Sequence, residues 1–305
     1  MKIKDDPPVL QVETTPERGG SFPTTRRIVR RSIDRSRDAA ELELWAAEKK
    51  ITLGDMVPDC DRLEVLQTLW TYRDIESTGI EDMGPPTDLI LHRTRIKEGT
   101  PIYKAKAKRL SPDKEWWLRK LVSDGMKSGM YERTTVANGK LSQWGADAVL
   151  VKKEGKVEPR LTFNYHYVFE EPPGNQMELS SRAHGFLSLP SHGVYSAFDL
   201  KNAYWATEIH PEDRHFLAFV VPGIGQVQPT RMAQGARSSS FTMNELGNIA
   251  FGEIPGPQPE ISFLHSEDPE QPPHMTFYVD DIFPAHASWT NHWSFIKDHL
   301  LPRLS

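Results

Sequence analysis

The stretch Phe277-Tyr278-Val279-Asp280-Asp281-Ile282-Phe283 constrains this chain more than any other: an apolar, aromatic and β-branched run is interrupted at its middle by two adjacent carboxylates. Runs of this length and composition form buried strands. Two aspartates inside one resist burial, each for its own charge and again for its neighbour's. A tight turn can lift the pair out of the core, or a divalent cation can neutralise it. A second run, Val194-Tyr195-Ser196-Ala197-Phe198-Asp199-Leu200, also ends in a carboxylate. Two strands delivering Asp199 and the Asp280–Asp281 pair to one place would make a two-metal phosphoryl-transfer site.

The chain has 305 residues, enough for one large domain or two ordinary ones. Its hydrophobic content of 38% sits at the polar end of globular proteins, so part of it is expected to be disordered. A formal net charge of -5 argues against nucleic-acid binding without excluding a local basic surface. The lone cysteine, Cys60, excludes a disulfide framework and a cysteine-based zinc site. No apolar run reaches the length of a membrane span and no signal-peptide pattern opens the chain. No membrane partner is therefore expected, and the expected location is intracellular, in cytoplasm or nucleus.

Residues 1–40 read as a disordered tail with a basic cluster, Arg26-Arg27-Ile28-Val29-Arg30-Arg31 with Arg35 and Arg37. The bland reading is a solvated tail; the sharper ones are a phosphate-binding arm or a nuclear-import signal. Residues 41–95 read as a helical extension, with Leu42, Trp45 and Ala46 at helical spacing and Leu63, Leu66 and Trp70 marking a second helix. Asp88–Ile96 reads as a strand. Ser111-Pro112-Asp113 is a helix start, followed by a stripe of Leu118, Val122 and Met126. Ala146–Lys153 and Arg160–Tyr165 alternate in strand fashion and predict a hairpin.

Further on, Leu179–Leu189 and Phe241–Phe251 predict helices, Phe216–Val221 a strand, and residues 253–273 an exposed loop. Trp289, Trp293, Ile296 and Leu300 predict a last amphipathic helix that stops at Pro302. The histidines His265, His274, His286, His292 and His299 invite a metal reading, but no pair has ligand spacing with a third partner. A Walker-type phosphate loop, a nucleophile elbow and a zinc-protease helix are all absent from the sequence.

Several segments, in order, resemble the reverse transcriptases of long-terminal-repeat retrotransposons of the gypsy type found in fungi. Phe277-Tyr278-Val279-Asp280-Asp281 is similar to that family's aromatic-x-Asp-Asp signature. Phe198-Asp199-Leu200-Lys201-Asn202-Ala203-Tyr204 resembles its first catalytic strand and the turn after it. Gln228-Pro229-Thr230-Arg231-Met232-Ala233-Gln234-Gly235 looks like the segment over the incoming nucleotide. Leu141–Lys153, with Arg160 and Phe163-Asn164-Tyr165, resembles the fingers hairpin, and Ile96-Lys97-Glu98-Gly99-Thr100-Pro101-Ile102 the entry to the fingers.

The resemblance implies an α+β fold: a right-hand palm of antiparallel sheet with packed helices over residues 186–305, a fingers subdomain over 96–185, and a chain truncated before the thumb. It also implies a role for each matching position. Asp199 and Asp280, with Asp281 as secondary ligand, would hold two Mg²⁺ ions, or Mn²⁺ in their place. The backbone of Leu200, Lys201 and Ala203 would touch the triphosphate, and Tyr204 would lie under the sugar and exclude a 2′-hydroxyl. Lys152 or Lys153, with Arg160, would neutralise the β- and γ-phosphates. Gln234 would contact the nucleotide, Gly235 the template, and Tyr278 the primer end. The implied partners are an RNA or DNA template with its primer, and deoxynucleoside triphosphates.

Asn164, His166 and Phe169 stand where the family carries Asp, Arg and Asn, which removes a charge pair supporting the fingers. Ala233 and Ala236 replace Pro and a larger apolar residue. The expected function is RNA-directed DNA polymerase within a retroelement polyprotein, and a virus-like particle is the expected location if the element is active. The rival reading is a catalytically inactive remnant that keeps the fold. A two-metal nuclease or phosphatase would explain the aspartates but not the fingers segments.

Overall fold

The computed structural model describes residues 31–75, 84–94, 96, 98–106, 109–152, 154–155, 157–165, 189, 192–232, 237–251, 274–278 and 280–305. Two helices come first. α1 (Ala39–Lys49) starts at Asp38, whose carboxylate accepts from the Glu41 amide while the Glu41 carboxylate accepts from the Asp38 amide. α2 (Asp59–Thr71) packs on it through Leu42, Ala46 and Leu66, with Trp45 edge-on to Trp70 at 5.3 Å.

The tail expected to run to residue 40 is docked from Arg31. Arg31 pairs with Asp74 and lies over the Tyr72 ring, Arg37 pairs with Glu41, and the Asp34 amide donates to Thr71 Oγ1. Arg31 and Arg37 therefore serve the helical pair. Arg26–Arg30 lie outside the described residues.

Of the Asp88–Ile96 run, only β1 (Leu91–His92) pairs with another strand. α3 (Pro112–Lys127) buries Leu118, Leu121, Val122 and Gly125. Gly125 sits where it does because a side chain there would strike the Tyr131 ring. β2 (Tyr131–Arg133) and the short α4 (Thr134–Asn138) lead to β3 (Asp147–Val151) and β4 (Arg160–Asn164), an antiparallel hairpin in register from Asp147–Asn164 to Val151–Arg160. Then come β5 (Val194–Tyr195), β6 (Phe198–Asp199) and β7 (Glu208–Ile209), which runs parallel to β1.

The strand expected from Phe216 begins only at β8 (Phe219–Val221). Residues Pro211–Leu217 instead form a 3₁₀ helix. Its buried Asp213 accepts from the Arg93 Nε at 2.8 Å and the Thr94 amide at 2.9 Å, which pins the segment as a polar coil rather than an alternating strand. β9 (Gly225–Pro229) joins β8 to β2 in a three-stranded sheet. α5 (Arg237–Phe251) starts four residues before the expected helix at Phe241. β10 (Met275–Tyr278) and β11 (Asp281–His286) form a hairpin that also carries β5 and β6.

The last helix begins at α6 (Trp289–Phe295) and does not stop at Pro302. A π-helical turn over Ile296–Leu300 widens the hydrogen-bond ladder, and a new helical turn, α7 (Leu301–Leu304), carries Pro302 where its missing N–H is not needed. Most of the helix expected over Leu179–Leu189, and the loop over 253–273, lie outside the described residues.

One core unites these pieces. Val122, Ile209, Phe219, Val227, Ile282 and Leu300 are all excluded from solvent. Single bridges stitch the small sheets together, Ala146 to Phe219 and Glu208 to Arg231. The result is a mixed helix-and-strand fold in which α5 lies on β10. Contact is closest at Gly247, where any side chain would run into the Phe277 ring. Gly247→Ala should therefore destabilise the protein by about 1–3 kcal/mol through overpacking. Urea denaturation checks this, and an unchanged midpoint would show that the helix can shift freely on β10.

Candidate active site

Alternation along β10 and β11 decides where the carboxylates go. Opposed residues of an antiparallel pair share a face, and neighbours in sequence alternate. Phe277 pairs with Ile282 and Ile282 with Phe198, forming a row turned into the core. One step along, Tyr278 pairs with Asp281 and Asp281 with Asp199, forming a row turned outwards. Asp280 lies in the turn between Tyr278 and Asp281. The tight-turn resolution of the paired aspartates is therefore realised: Asp280 leaves the sheet, and Asp281 opens β11 on its outer face.

The chain after β6 closes the site. The Leu200 amide donates to the Asp280 carbonyl at 2.7 Å, tying the turn to the end of β6. The Lys201 amide donates to the Asp199 carbonyl and the Ala203 amide to the Leu200 carbonyl, both at 3.1 Å. Three of the four amides over 200–203 are thus spent inside the turn. Asn202, held at φ 61°, has the remaining amide, which makes no hydrogen bond among the described residues. The 3₁₀ helix Ala203–Ala206 then carries Tyr204, half-buried, with its hydroxyl 3.4 Å from Ser240 Oγ on α5. Asn202 belongs to the Leu200–Ala203 stretch whose backbone was expected at the triphosphate; Ser240 was not among the expected site residues. The left-handed Asn202 backbone shows only once the strands have paired, and nothing in the sequence ties Ser240 to Tyr204.

The electrostatics follow from this crowding. Burial, then Asp281, then Asp199, raises the Asp280 carboxyl above its ordinary range, partly offset by a backbone hydrogen bond. Burial raises the Tyr204 phenol, with Asp280 and Tyr278 adding to the effect, so both lie close to it. Tyr278 remains 40% exposed on the outer face.

The structure thus brings Asp199, Leu200, Lys201, Ala203, Tyr204, Tyr278, Asp280 and Asp281 into one neighbourhood. Lys152 and Arg160 stand exposed at the turn end of the separate β3–β4 hairpin. Lys153, Gln234 and Gly235 lie outside the described residues. Among the described residues, no three His, Cys, Asp or Glu side chains converge at metal-ligand spacing. The donor set nonetheless suits a hard divalent ion: Mg²⁺ takes one or two carboxylates and completes its shell with water and phosphate oxygens.

No family model matches the chain, and no curated protein matches it. Solved structures do. A foamy viral protease-reverse transcriptase in complex with double-stranded DNA matches with a TM-score of 0.62 at 17% identity, over 90% of this chain and 50% of that one. Prototype foamy virus protease-reverse transcriptase, in native form, matches at 0.62 and 18%, over 90% and 32%. A selenomethionine-labelled mutant of it reaches 0.64 at 17%, over 90% and 32%. The chain therefore has a reverse-transcriptase-like fold, and it spans from about a third to half of the length of these chains.

A carboxyl that titrates higher folded than free stabilises below the ordinary carboxylate range, and that stabilisation is lost as pH rises through the raised value. Asp280→Asn should accordingly raise the thermal midpoint of the metal-free protein at neutral pH. The expected rise, discounted for exposure, is about 1–2 °C. The difference should vanish below about pH 3.5, where the aspartate is protonated anyway. Calorimetry across this range would refute the repulsion argument if the variant melted lower at neutral pH.

Proposed function

We propose that the protein is the fingers-and-palm part of an RNA-directed DNA polymerase from a gypsy-type retroelement, transferring a nucleotidyl group from a deoxynucleoside triphosphate to a primer 3′-hydroxyl. The observation that carries this is the Asp199–Asp281 pair with Asp280 in the adjoining turn, set in a reverse-transcriptase-like fold. The crowded like charges supply the reason for cation binding: a carboxyl already displaced upwards gains most from a positive partner.

In this reading Asp199 and Asp280 hold two Mg²⁺ ions and Asp281 supports them from the opposite strand. When bound, the metal pair supplies activation of the 3′-hydroxyl and neutralisation of the pyrophosphate leaving group. The chain's own groups position the substrate. The free Asn202 amide donates to a triphosphate oxygen, extending the role expected of the Leu200–Ala203 backbone. Tyr204 sets its ring under the sugar, and a 2′-hydroxyl would collide with it. Tyr278 packs on the primer end, Gln234 on the nucleotide and Gly235 on the template. Lys152, Lys153 and Arg160 meet the outer phosphates when the hairpin bearing them approaches the sheet.

Two of the structures that share this fold were solved in complex with double-stranded DNA and with an RNA/DNA hybrid, which suits a template-primer partner here. Primer extension on an RNA template with Mg²⁺ and deoxynucleotides tests the reading. Asp280→Asn should lower incorporation on the order of 10³-fold, the loss of a metal-borne charge stabilisation of several kcal/mol. Activity surviving that change would sink the site, and no extension by folded wild-type protein would favour the inactive remnant. Tyr204→Ala should raise ribonucleotide use relative to deoxynucleotide use by roughly 10- to 100-fold, since it removes a steric rejection. Competition between the two nucleotide types in the same assay reads this directly.

A further inference from the structure

Three histidines and a serine run in a line behind the carboxylate sheet. Ser196, in the link between β5 and β6, has its hydroxyl 2.8 Å from Nε2 of His292 on α6. His292 Nδ1 stands 3.1 Å from Nδ1 of His286, at the end of β11. His286 Nε2 stands 3.0 Å from Nδ1 of His274, just before β10. His292 is wholly buried and His286 nearly so. Phe295 fills the space beside the line, stacked on His274 at 5.3 Å and tilted against His286 at 4.9 Å. Gly193 allows the chain before β5 to close on this end, because a side chain there would strike the His286 carbonyl. Each segment of the carboxylate sheet, and the helix behind it, contributes one member.

Proton counting limits what such a line can tolerate. A neutral imidazole carries one N–H and one lone pair. Three neutral rings ending on a hydroxyl can donate all in one direction or all in the other, with every contact satisfied. One added proton is also accommodated: His286 donates from both nitrogens, to His274 and His292, and His292 Nε2 donates to Ser196. A second proton is not. Wherever it sits, two N–H groups face each other across one contact, and that contact must open.

Among the described residues, the carboxylates of the packed elements are engaged with other partners and none is hydrogen-bonded to the three rings. Glu64 of α2 accepts from Lys297 and Trp293, Asp61 from Trp289, and Asp298 from Ser294. His299 lies against Phe295 and would add like charge, as it already does at His274. Burial, aided by the neighbouring rings, holds His286 down to about 4, and burial alone holds His292 at about 4.

We infer that the Ser196–His292–His286–His274 line is an acid-operated latch, which clamps α6 to the carboxylate sheet while neutral and releases it on taking up a second proton. Rings that titrate lower folded than free make the open state bind more protons. The closed state is therefore fully stable above the ordinary value of 6.5, and that stability is lost as pH falls from there towards about 4. At pH 5 His286 and His292, once released, each favour opening by roughly 20-fold relative to neutral pH. Opening would loosen the rear ends of β11 and the β5–β6 link, whose front ends carry Asp281 and Asp199. The inference concerns order in the sheet, so it stands apart from the polymerase reading.

Amide hydrogen exchange of the full chain at pH 5 and pH 8, corrected for intrinsic exchange, tests it. Exchange in Trp289–Leu300 and at the end of β11 should accelerate at pH 5 far beyond that of α1, α2 and α3, and His292→Gln should remove most of that pH response. Equal acceleration across the chain, or an unchanged response in the variant, would overturn the latch. If the variant does not fold, histidine ring-proton NMR of the native protein decides. Rings depressed together, with uptake of at least two protons on opening, support the latch; independent titration near the ordinary value refutes it.

Discussion

The pairing of β6 with β11 is the constraint on which the rest depends. β6 has only two residues, and its register with β11 puts Phe198 opposite Ile282 on one face and Asp199 opposite Asp281 on the other. A slip of β6 by one residue would exchange its faces, burying Asp199 and exposing Phe198. Burying Phe277 and Ile282 contributes about 1.5–3 kcal/mol each, whereas two like charges directly opposed cost about 1 kcal/mol or less in a solvated row. The apolar row wins, and the carboxylates are held together by forces to which they do not contribute. This separates stability from chemistry: the side chains that gather charge at the site are not the ones that keep the sheet folded.

Other polar groups do contribute to the frame, and they do so by being fully used. Gln226 accepts from the Thr134 hydroxyl at 2.9 Å and the Ser142 amide at 2.7 Å, and donates to the Ser142 and Trp144 carbonyls. Arg214 spans Glu132 and Glu208, linking β2 to β7. Such groups fix the three-stranded sheet against α4 and the segment after it, and the bridge from Ala146 to Phe219 passes that order to the β3–β4 hairpin. The exposed cations of the hairpin therefore stand on a stable base but on a different sheet from the carboxylates.

Much of this was legible in the sequence where local chemistry decides. The aspartate hairpin, the β3–β4 hairpin and the start of α3 all follow from alternation, turn residues and a proline at the first helical position. The misreadings have a common cause. Phe216–Val221 reads as one strand until Asp213 is seen to anchor the preceding coil to Arg93, about 120 residues away. Pro302 reads as a stop until a π-helical turn relieves it. Gly125 and Gly247 each mark a ring from another element pressed against a helix backbone, a contact that no local pattern announces. At the site, the aspartates and Tyr204 could be named from the sequence. Neither the open amide of Asn202 nor the line from Ser196 to His274 could be, because both exist only once distant strands have paired.

The docking of the helical pair has a kinetic consequence. Asp61 accepts from Trp289 and Glu64 from Trp293 and Lys297, contacts separated by 228, 229 and 233 residues. At ribosomal speeds of about 5–20 residues per second, α2 waits roughly 10–50 s between its own synthesis and the arrival of these partners. During that interval its acidic face lacks these donors, while α1 packs on it and Arg37 and Arg73 lie over the Trp70 ring. The early intramolecular cover supplied by Arg31 and Arg37 thus acts as a holding arrangement, keeping α2 occupied until α6 can close over it.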